Sequence, residues 1–352
     1  PVRGLLRYAL LDRRRVGIIF KDFASTPPNS LPVQLKLACP NASLVLFPHA
    51  YALHTSGQEA PAITSVVTTE NFAQDDIDRL LLSSQLDVET WTERLPLSKM
   101  SVMGATGYTE WWGQIMRQYA HEHLKSIRDR AAGRKLVLLT TRAPHDLYLT
   151  EENYQYLVKQ SIDSILKRPD TFILVKPHPR EDKQHLLSLL ADFPQERLAM
   201  VELSTLALAS ICSVTVSFWS SAILDSIAVG TPAVEFHRFH RPIPQSVRDA
   251  TGRIVSIYTR LGLALRADDS ESLVRALDSA FDDHSSLLAS QRQALAPCFP
   301  DNEAQLGSLR ALLSDLLSAP PRSTRTSWRV LYKLVRAILA TPDTLPQSNQ
   351  QG

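Results

Sequence analysis

A chain of 352 residues, 44% hydrophobic and 21% charged, is long enough for two cores at ~150 residues each and has a folded protein's composition. A formal net charge of +2, without basic patches interleaved with aromatics, leaves no footprint of a nucleic-acid binder. No apolar run approaches the ~20 residues that span a bilayer, and no signal peptide opens the chain, so a cytoplasmic location is expected.

In chain order, Val2 to Arg15 has helical spacing and a basic end. Val16 to Phe20 reads as a strand ending in Lys21-Asp22, and a Ser/Pro/Asn-rich loop follows. Val33 to Ala38 is a short helix, and Ser43 to Phe47 a strand ending in Pro48-His49. Ile63 to Thr68, Leu80 to Leu82 and Met100 to Met103 continue the strand rhythm. Asp76 and Asp78, before the leucine run, read as the acidic first turn of a helix. Trp111 to Arg130 has the pattern of one long connecting helix.

A second series follows: strands at Lys135 to Leu139, Phe172 to Val175, Leu198 to Val201, Val214 to Ser217 and Pro232 to Phe236. Helices at Glu151 to Leu166, Lys183 to Leu190, Thr205 to Ser210, Ser221 to Val229 and Ser270 to Phe281 alternate with them or follow. Gly230 stands where a C-cap glycine stops a helix. Such alternation specifies an α/β protein with parallel sheets covered on both faces. Cys39 and Cys212, in apolar runs and far from Cys298, read as core residues of a reducing compartment. Pro342 to Gly352 is polar and carries no core pattern.

Two strand ends carry chemistry. Lys176, Pro177, His178, Pro179 and Arg180 leave one strand through a stiff double-proline exit that aims the imidazole in one direction. Ser217, Ser220 and Ser221 end the next candidate strand where a helix begins, with Asp225 one turn further. Ligands of open parallel sheets bind at the carboxyl ends of strands, so cations and a helix N-terminus there suit a phosphate ester. Each feature also has a structural reading, the histidine as part of a rigid turn and the serines as N-caps. His237 and His240, after Phe236, read as a solvated loop, and His121 and His123 as surface residues.

Lys-x-His-Pro followed by Ser-Ser-x-x-x-Asp-x-x-x-x-Gly-x-Pro resembles the donor half of GT-B glycosyltransferases, over about residues 134–285. The match is to the group using cytidine nucleotides: CDP-glycerol glycerophosphotransferases, capsule Kdo-transferases, and sialyl- and polysialyltransferases. The resemblance implies two Rossmann-type lobes with parallel sheets facing across a cleft. Residues 1–125 would form an acceptor lobe, 126–300 a donor lobe, and 301–352 terminal helices and a tail. Because the chain starts at Pro1, the first lobe is expected to continue upstream. His178, Ser220 and Ser221 would contact the donor phosphate, with Lys176, Arg180 and Ser217 beside them. Phe47-Pro48-His49-Ala50 resembles the strand and His-Gly pair of the acceptor lobe, with alanine in the glycine's place.

The function so implied is metal-independent transfer of a sugar from a CMP-activated donor to a hydroxyl of a surface glycan or glycolipid, without a cofactor. Asp22 and His49 are the candidate bases, with His54 a possible polar partner of His49. The alternatives are a glycerophosphotransferase, a UDP-sugar enzyme or 2-epimerase, and a non-catalytic nucleotide-sugar-binding protein. Trp328 to Leu339 is a basic amphipathic helix, suited to packing on the first lobe or to lying on an anionic membrane surface.

Overall fold

The computed structural model of the protein describes residues 17–22, 31–39, 42–47, 53, 77–92, 95–145, 149–238 and 246–318. Strands β1 (Ile18–Asp22), β2 (Ser43–Phe47), β3 (Arg79–Leu82) and β4 (Met100–Val102) form a parallel sheet in chain order. Period-two alternation gives it two apolar faces. Leu44, Leu46, Leu80 and Leu82 pack on one side with Val33 of α1 (Leu31–Ala38) and Trp91 of α2 (Gln85–Trp91). Val45 and Leu81 face the other way.

Asp78 is not in a helical turn. It immediately precedes β3, and its buried carboxylate pairs with Lys36 at the end of α1 and accepts the Leu44 N–H at 2.7 Å. Parallel pairing with β2 requires Arg79 to Leu82 to be extended, and that overrides the local acidic pattern. The helix expected over Trp111 to Arg130 is two helices, α3 (Glu110–His123) and α4 (Lys125–Ala131). They break at Leu124 (φ −106°, ψ 18°), which is buried in the core against the second sheet.

The second sheet comprises β5 (Lys135–Thr140), β6 (Thr171–Lys176), β7 (Leu198–Met200), β8 (Val214–Ser217), β9 (Ala233–Phe236) and β12 (Leu265–Ala267). A separate antiparallel ribbon, β10 (Ser246–Arg248) and β11 (Ile254–Ser256), lies between β9 and β12 in sequence. The sheet order is β12-β9-β8-β5-β6-β7, all parallel. The chain winds outward from β5 to β7, then returns across β5 to build β8, β9 and β12. Its winding therefore reverses between β5 and β8, where such sheets open a crevice.

Helix α5 (Glu151–Leu166) covers one face, with Val137, Leu139, Ile173, Val175 and Val216 beneath it. Next in chain order come α6 (Lys183–Leu190), α7 (Thr205–Ala209) and α8 (Ala222–Val229). Gly230 caps α8 with φ +101°, as its sequence position requires. Helices α9 (Ile257–Arg260), α10 (Ser270–Asp282) and α11 (His284–Leu295) complete this half, and α10 joins the α5 face. All three cysteines are free and buried.

Among the described residues the chain crosses between the halves twice. On the way out, Gly104 (φ +78°) lies so close to Gln305 that an added Cβ would fall 2.4 Å from its Cδ. On the way back, Phe299 meets Tyr108 edge-on at 5.3 Å between ring centres. Helix α12 (Asn302–Ser318) then returns to the first sheet, with Leu312 and Leu316 against Val45, Leu81 and Met103. An Arg79–Asp315 ion pair at 2.7 Å joins it to β3. The helix expected over Trp328 to Leu339 falls outside the described residues, among which no helix is long and apolar enough to cross a membrane.

Candidate functional site

Strand β6 ends because Pro177 and Pro179 have no N–H for the ladder. The turn closes with Glu181 N–H donating to the His178 carbonyl at 2.9 Å, and Asp182 caps α6 through Gln184 and His185 N–H. Within the turn, His178 Nδ1 accepts the Arg180 N–H at 3.2 Å. The neutral ring therefore carries its proton on Nε2, which is left to donate outward. Burial, with the charges of Arg142, Arg180 and Lys176, pushes the His178 pKa down to about 4. Near neutral pH this side chain is an uncharged donor. Partial burial also lowers the Lys176 pKa, opposed by the carboxylates of Asp225, Glu181 and Glu202. Arg180 is exposed at the rim.

Strand β8 ends in Ser217, whose buried Oγ has no hydrogen-bond partner among the described residues. Trp219 follows in the left-handed region (φ +67°), a rare conformation for a bulky residue. Its side chain is only 1% exposed. Arg142, just past the end of β5, lies 3.9 Å over the indole and donates from Nη1 to the Trp219 carbonyl at 2.8 Å. Ser220 Oγ accepts the Ala222 N–H at 3.3 Å, whereas Ser221 occupies the cap position in helical conformation and makes no side-chain cap bond. Of the two serines expected as N-caps, only Ser220 makes a side-chain bond to the start of the helix.

The β6 and β8 ends are not neighbours, because β5 stands between them. Register places Lys176 beside Thr140, Thr140 beside Ser217, Ser217 beside Glu235 and Glu235 beside Arg266. Paired residues on parallel strands share a face, so five polar side chains form one row across the sheet's carboxyl edge. Thr140, Thr141 and Arg142 went unrecognised in the sequence. Their signal was the abrupt Thr-Thr-Arg end of an apolar run, the same signal that marked Lys176 and Ser217.

Asp225 faces Lys176 from the first turn of α8. Desolvation raises its pKa to about 6, against the opposing effects of the Tyr108 hydroxyl, Lys176 and the Thr205 hydroxyl. Tyr108 belongs to the outward crossing, so the segment between the two sheets reaches this site. Glu235 is buried, and its Oε2 accepts from Ser256 Oγ at 2.5 Å and Thr259 Oγ1 at 2.6 Å. Its Oε1 has no partner among the described residues, and burial lifts its pKa to about 7. His237 is not in a solvated loop: it is 2% exposed, with its ring edge-on to Trp219 at 6.0 Å. Its backbone N–H donates to the Ala267 carbonyl of β12 at 3.1 Å, so position 237 still follows the sheet. His121 and His123 are exposed.

Asp22 ends β1 opposite Phe47 of β2. Its side chain, and all of His49, His54 and His240, lie outside the described residues. Among the described residues no group of three or more His, Cys, Asp or Glu side chains is placed to hold a metal ion. The β5–β6–β8 ends combine a neutral imidazole donor, a lysine, an arginine-braced turn and the N-terminus of α8. This arrangement can hold a phosphate or diphosphate.

No protein-family model and no curated protein sequence matches the chain. Solved structures do. A putative UDP-N-acetylglucosamine 2-epimerase from Listeria monocytogenes is similar at TM-score 0.58 and 14% identity, over 91% of this chain and 80% of that one. The UDP-GlcNAc 2-epimerase of Methanocaldococcus jannaschii, in complex with UDP-GlcNAc and UDP, is similar at TM-score 0.54 and 14% identity, over 88% and 79%. The pneumococcal O-GlcNAc transferase GtfA, in complex with UDP and GlcNAc, is similar at TM-score 0.52 and 12% identity, over 90% and 60%. At these identities the likeness establishes the fold: an α/β architecture with parallel sheets, of the GT-B type.

Proposed function

We propose that this protein is a nucleotide-sugar enzyme that seats the phosphates of a UDP-sugar where the second sheet reverses its winding. The observation that carries the reading is the convergence of His178, Lys176 and the N-terminus of α8 on that reversal. His178 donates from Nε2, Lys176 supplies charge, and the Ser220-Ser221 turn presents hydroxyls and backbone N–H groups. Uridine is favoured over cytidine because solved structures of the same fold hold UDP or UDP-GlcNAc. Two chemistries fit such a donor. One is transfer to an acceptor hydroxyl, with Asp22 or His49 as base, and the other is 2-epimerisation of the bound sugar. The cytidine-donor reading rests on Lys-x-His-Pro and the serine pair, and is the second choice.

A thermal-shift series with UDP, CMP, CDP and GDP tests the assignment. UDP at about a hundred times its dissociation constant is expected to stabilise the fold by ~2.7 kcal/mol. A larger response to CMP restores the cytidine reading, and no response to any of the four overturns the site. Release of free UDP in the presence of an acceptor marks transfer, and inversion at sugar C2 marks epimerisation. If UDP-sugars bind but neither occurs, the protein is a binding module.

The serines provide a second measurement. Ser220→Ala removes a cap and is expected to cost about 1 kcal/mol, whereas Ser221→Ala should cost nearly nothing without ligand. In the double variant the UDP-induced shift should collapse. An undiminished shift would reduce both residues to scaffolding.

A further inference from the structure

We infer that Glu181 is a positioning residue that sets the aim of His178 and ties the end of β6 to that of β5. This rests on the reading of His178 as a phosphate donor, and it names the residue that controls it. Glu181 is 6% exposed, although it lies in a polar turn at the sheet's edge. Three donors converge on its carboxylate. Tyr154 of α5 donates its hydroxyl to Oε1 at 2.5 Å. Thr141, immediately after β5, donates its hydroxyl to Oε2 at 2.6 Å. The backbone N–H of His178 donates to the same oxygen at 2.7 Å.

Each bond has a separate consequence. The bond from His178 N–H holds the histidine's own backbone, so it fixes where the Cα–Cβ bond points. With Nδ1 occupied by Arg180 N–H, both the origin and the rotation of the ring are set, and Nε2 can face one way only. The bond from Thr141 couples this turn to β5. Thr141 N–H also donates to the Lys176 carbonyl at 3.1 Å, so the two strand ends are joined twice. Arg142, the next residue, continues the tie to the Trp219 carbonyl beyond β8. Glu181 therefore starts a brace running β6 to β5 to β8 beneath the proposed phosphate seat. The Tyr154 bond anchors the brace in the α5 layer.

A helix cap or a solubilising surface acid would not show this pattern. Asp182, the next residue, already caps α6. Leucine at position 181 keeps most of the bulk but offers no acceptor to any of the three donors. Glutamine can keep all three contacts, its oxygen accepting from Thr141 and His178 N–H and its amide donating to the Tyr154 hydroxyl oxygen. Loss of a buried acceptor usually amounts to a factor of about ten or more in an equilibrium.

The test uses the whole chain, ¹⁵N-labelled at histidine, with UDP as probe. In the wild type the His178 ring is expected as the Nε2–H tautomer, with an acid-shifted titration. In Glu181→Leu the ring should no longer hold one tautomer, its two nitrogens giving averaged ¹⁵N shifts at about pH 7.5, and UDP affinity should fall about tenfold; Glu181→Gln should restore both. Tyr154→Phe removes only the α5 anchor, so His178 should keep the wild-type tautomer. Should Glu181→Leu not fold, Thr141→Val removes the β5 tie alone, and a smaller displacement of the same His178 signals is expected. An unchanged His178 tautomer in folded Glu181→Leu, or in Thr141→Val where that variant stands in, overturns the inference. The histidine signals are read without ligand, so failure of UDP to bind the wild type would count against the nucleotide reading alone.

Discussion

Replacing Trp219 with alanine is expected to lower the unfolding free energy by about 3–5 kcal/mol, the usual cost of deleting a fully buried aromatic side chain. The indole belongs to one buried cluster with Ile223, Leu224, Ile227, Val247, Val255 and Leu53. It also supports the Arg142 guanidinium, so truncation removes a ring contact as well as apolar burial. Glycine at this position provides an internal control. The backbone at φ +67° costs an L-residue roughly 1–2 kcal/mol that glycine does not incur. Trp219→Gly should therefore be at least as stable as Trp219→Ala, reversing the order seen where backbone conformation is ordinary. Denaturant melts of the two variants decide this. A loss below 1 kcal/mol for the alanine variant, or a glycine variant clearly less stable than it, would contradict the described packing and backbone.

Stability is also expected to depend on pH through Glu235. Its pKa is 4.5 in the reference state and about 7 in the fold, because burial outweighs the hydroxyl donors Ser256 and Thr259. The folded protein thus keeps a proton that the unfolded chain has already released. The stability linked to this carboxyl is complete below pH 4.5 and is lost as pH rises to about 7, in total about 3 kcal/mol. Asp225 has the same sign over a lower range, and His178 the opposite sign, destabilising the fold as pH falls from 6.5 toward 4. The comparison of wild type with Glu235→Gln isolates the one carboxyl, since the other groups are common to both. Between pH 5 and pH 8 the variant should gain about 2–3 kcal/mol relative to wild type. A constant difference between the two proteins across that range would show that Glu235 does not hold its proton.

Five of the six strands of the second sheet were legible because each is a buried apolar run with polar punctuation; β12, three residues long with Arg266 at its centre, carries no such run and was missed. Gly230 was legible because a helix stop at positive φ suits glycine. Strand order was not, since local pattern is silent on which earlier strand the chain will return to. That is why the Lys176 and Ser217 ends were recognised while Arg142, lying between them in space, was passed over. Asp78 misled for a related reason: its partners Lys36 and Leu44 are 42 and 34 residues away, and nothing adjacent announces them. His237 was assigned to solvent because a histidine after a strand is commonly exposed. It is instead held to β12 by its backbone N–H and lies against Trp219, and neither partner is near it in sequence. Leu124 interrupts a continuous helical pattern because its side chain is drawn into the core against the second sheet.

The double crossing at Gly104 and Gln305 bears on the order in which the protein comes into being. During synthesis the strands of the first sheet emerge from the ribosome long before Leu312 and Leu316, the residues that pack beneath Val45 and Leu81. The second half can assemble β5 to β12 from a contiguous stretch of chain, with no need of anything made later. The first sheet, translated before the second, thus gains this cover after it, and a nascent chain halted before residue 302 would carry β5 to β12 beside a first sheet still lacking α12.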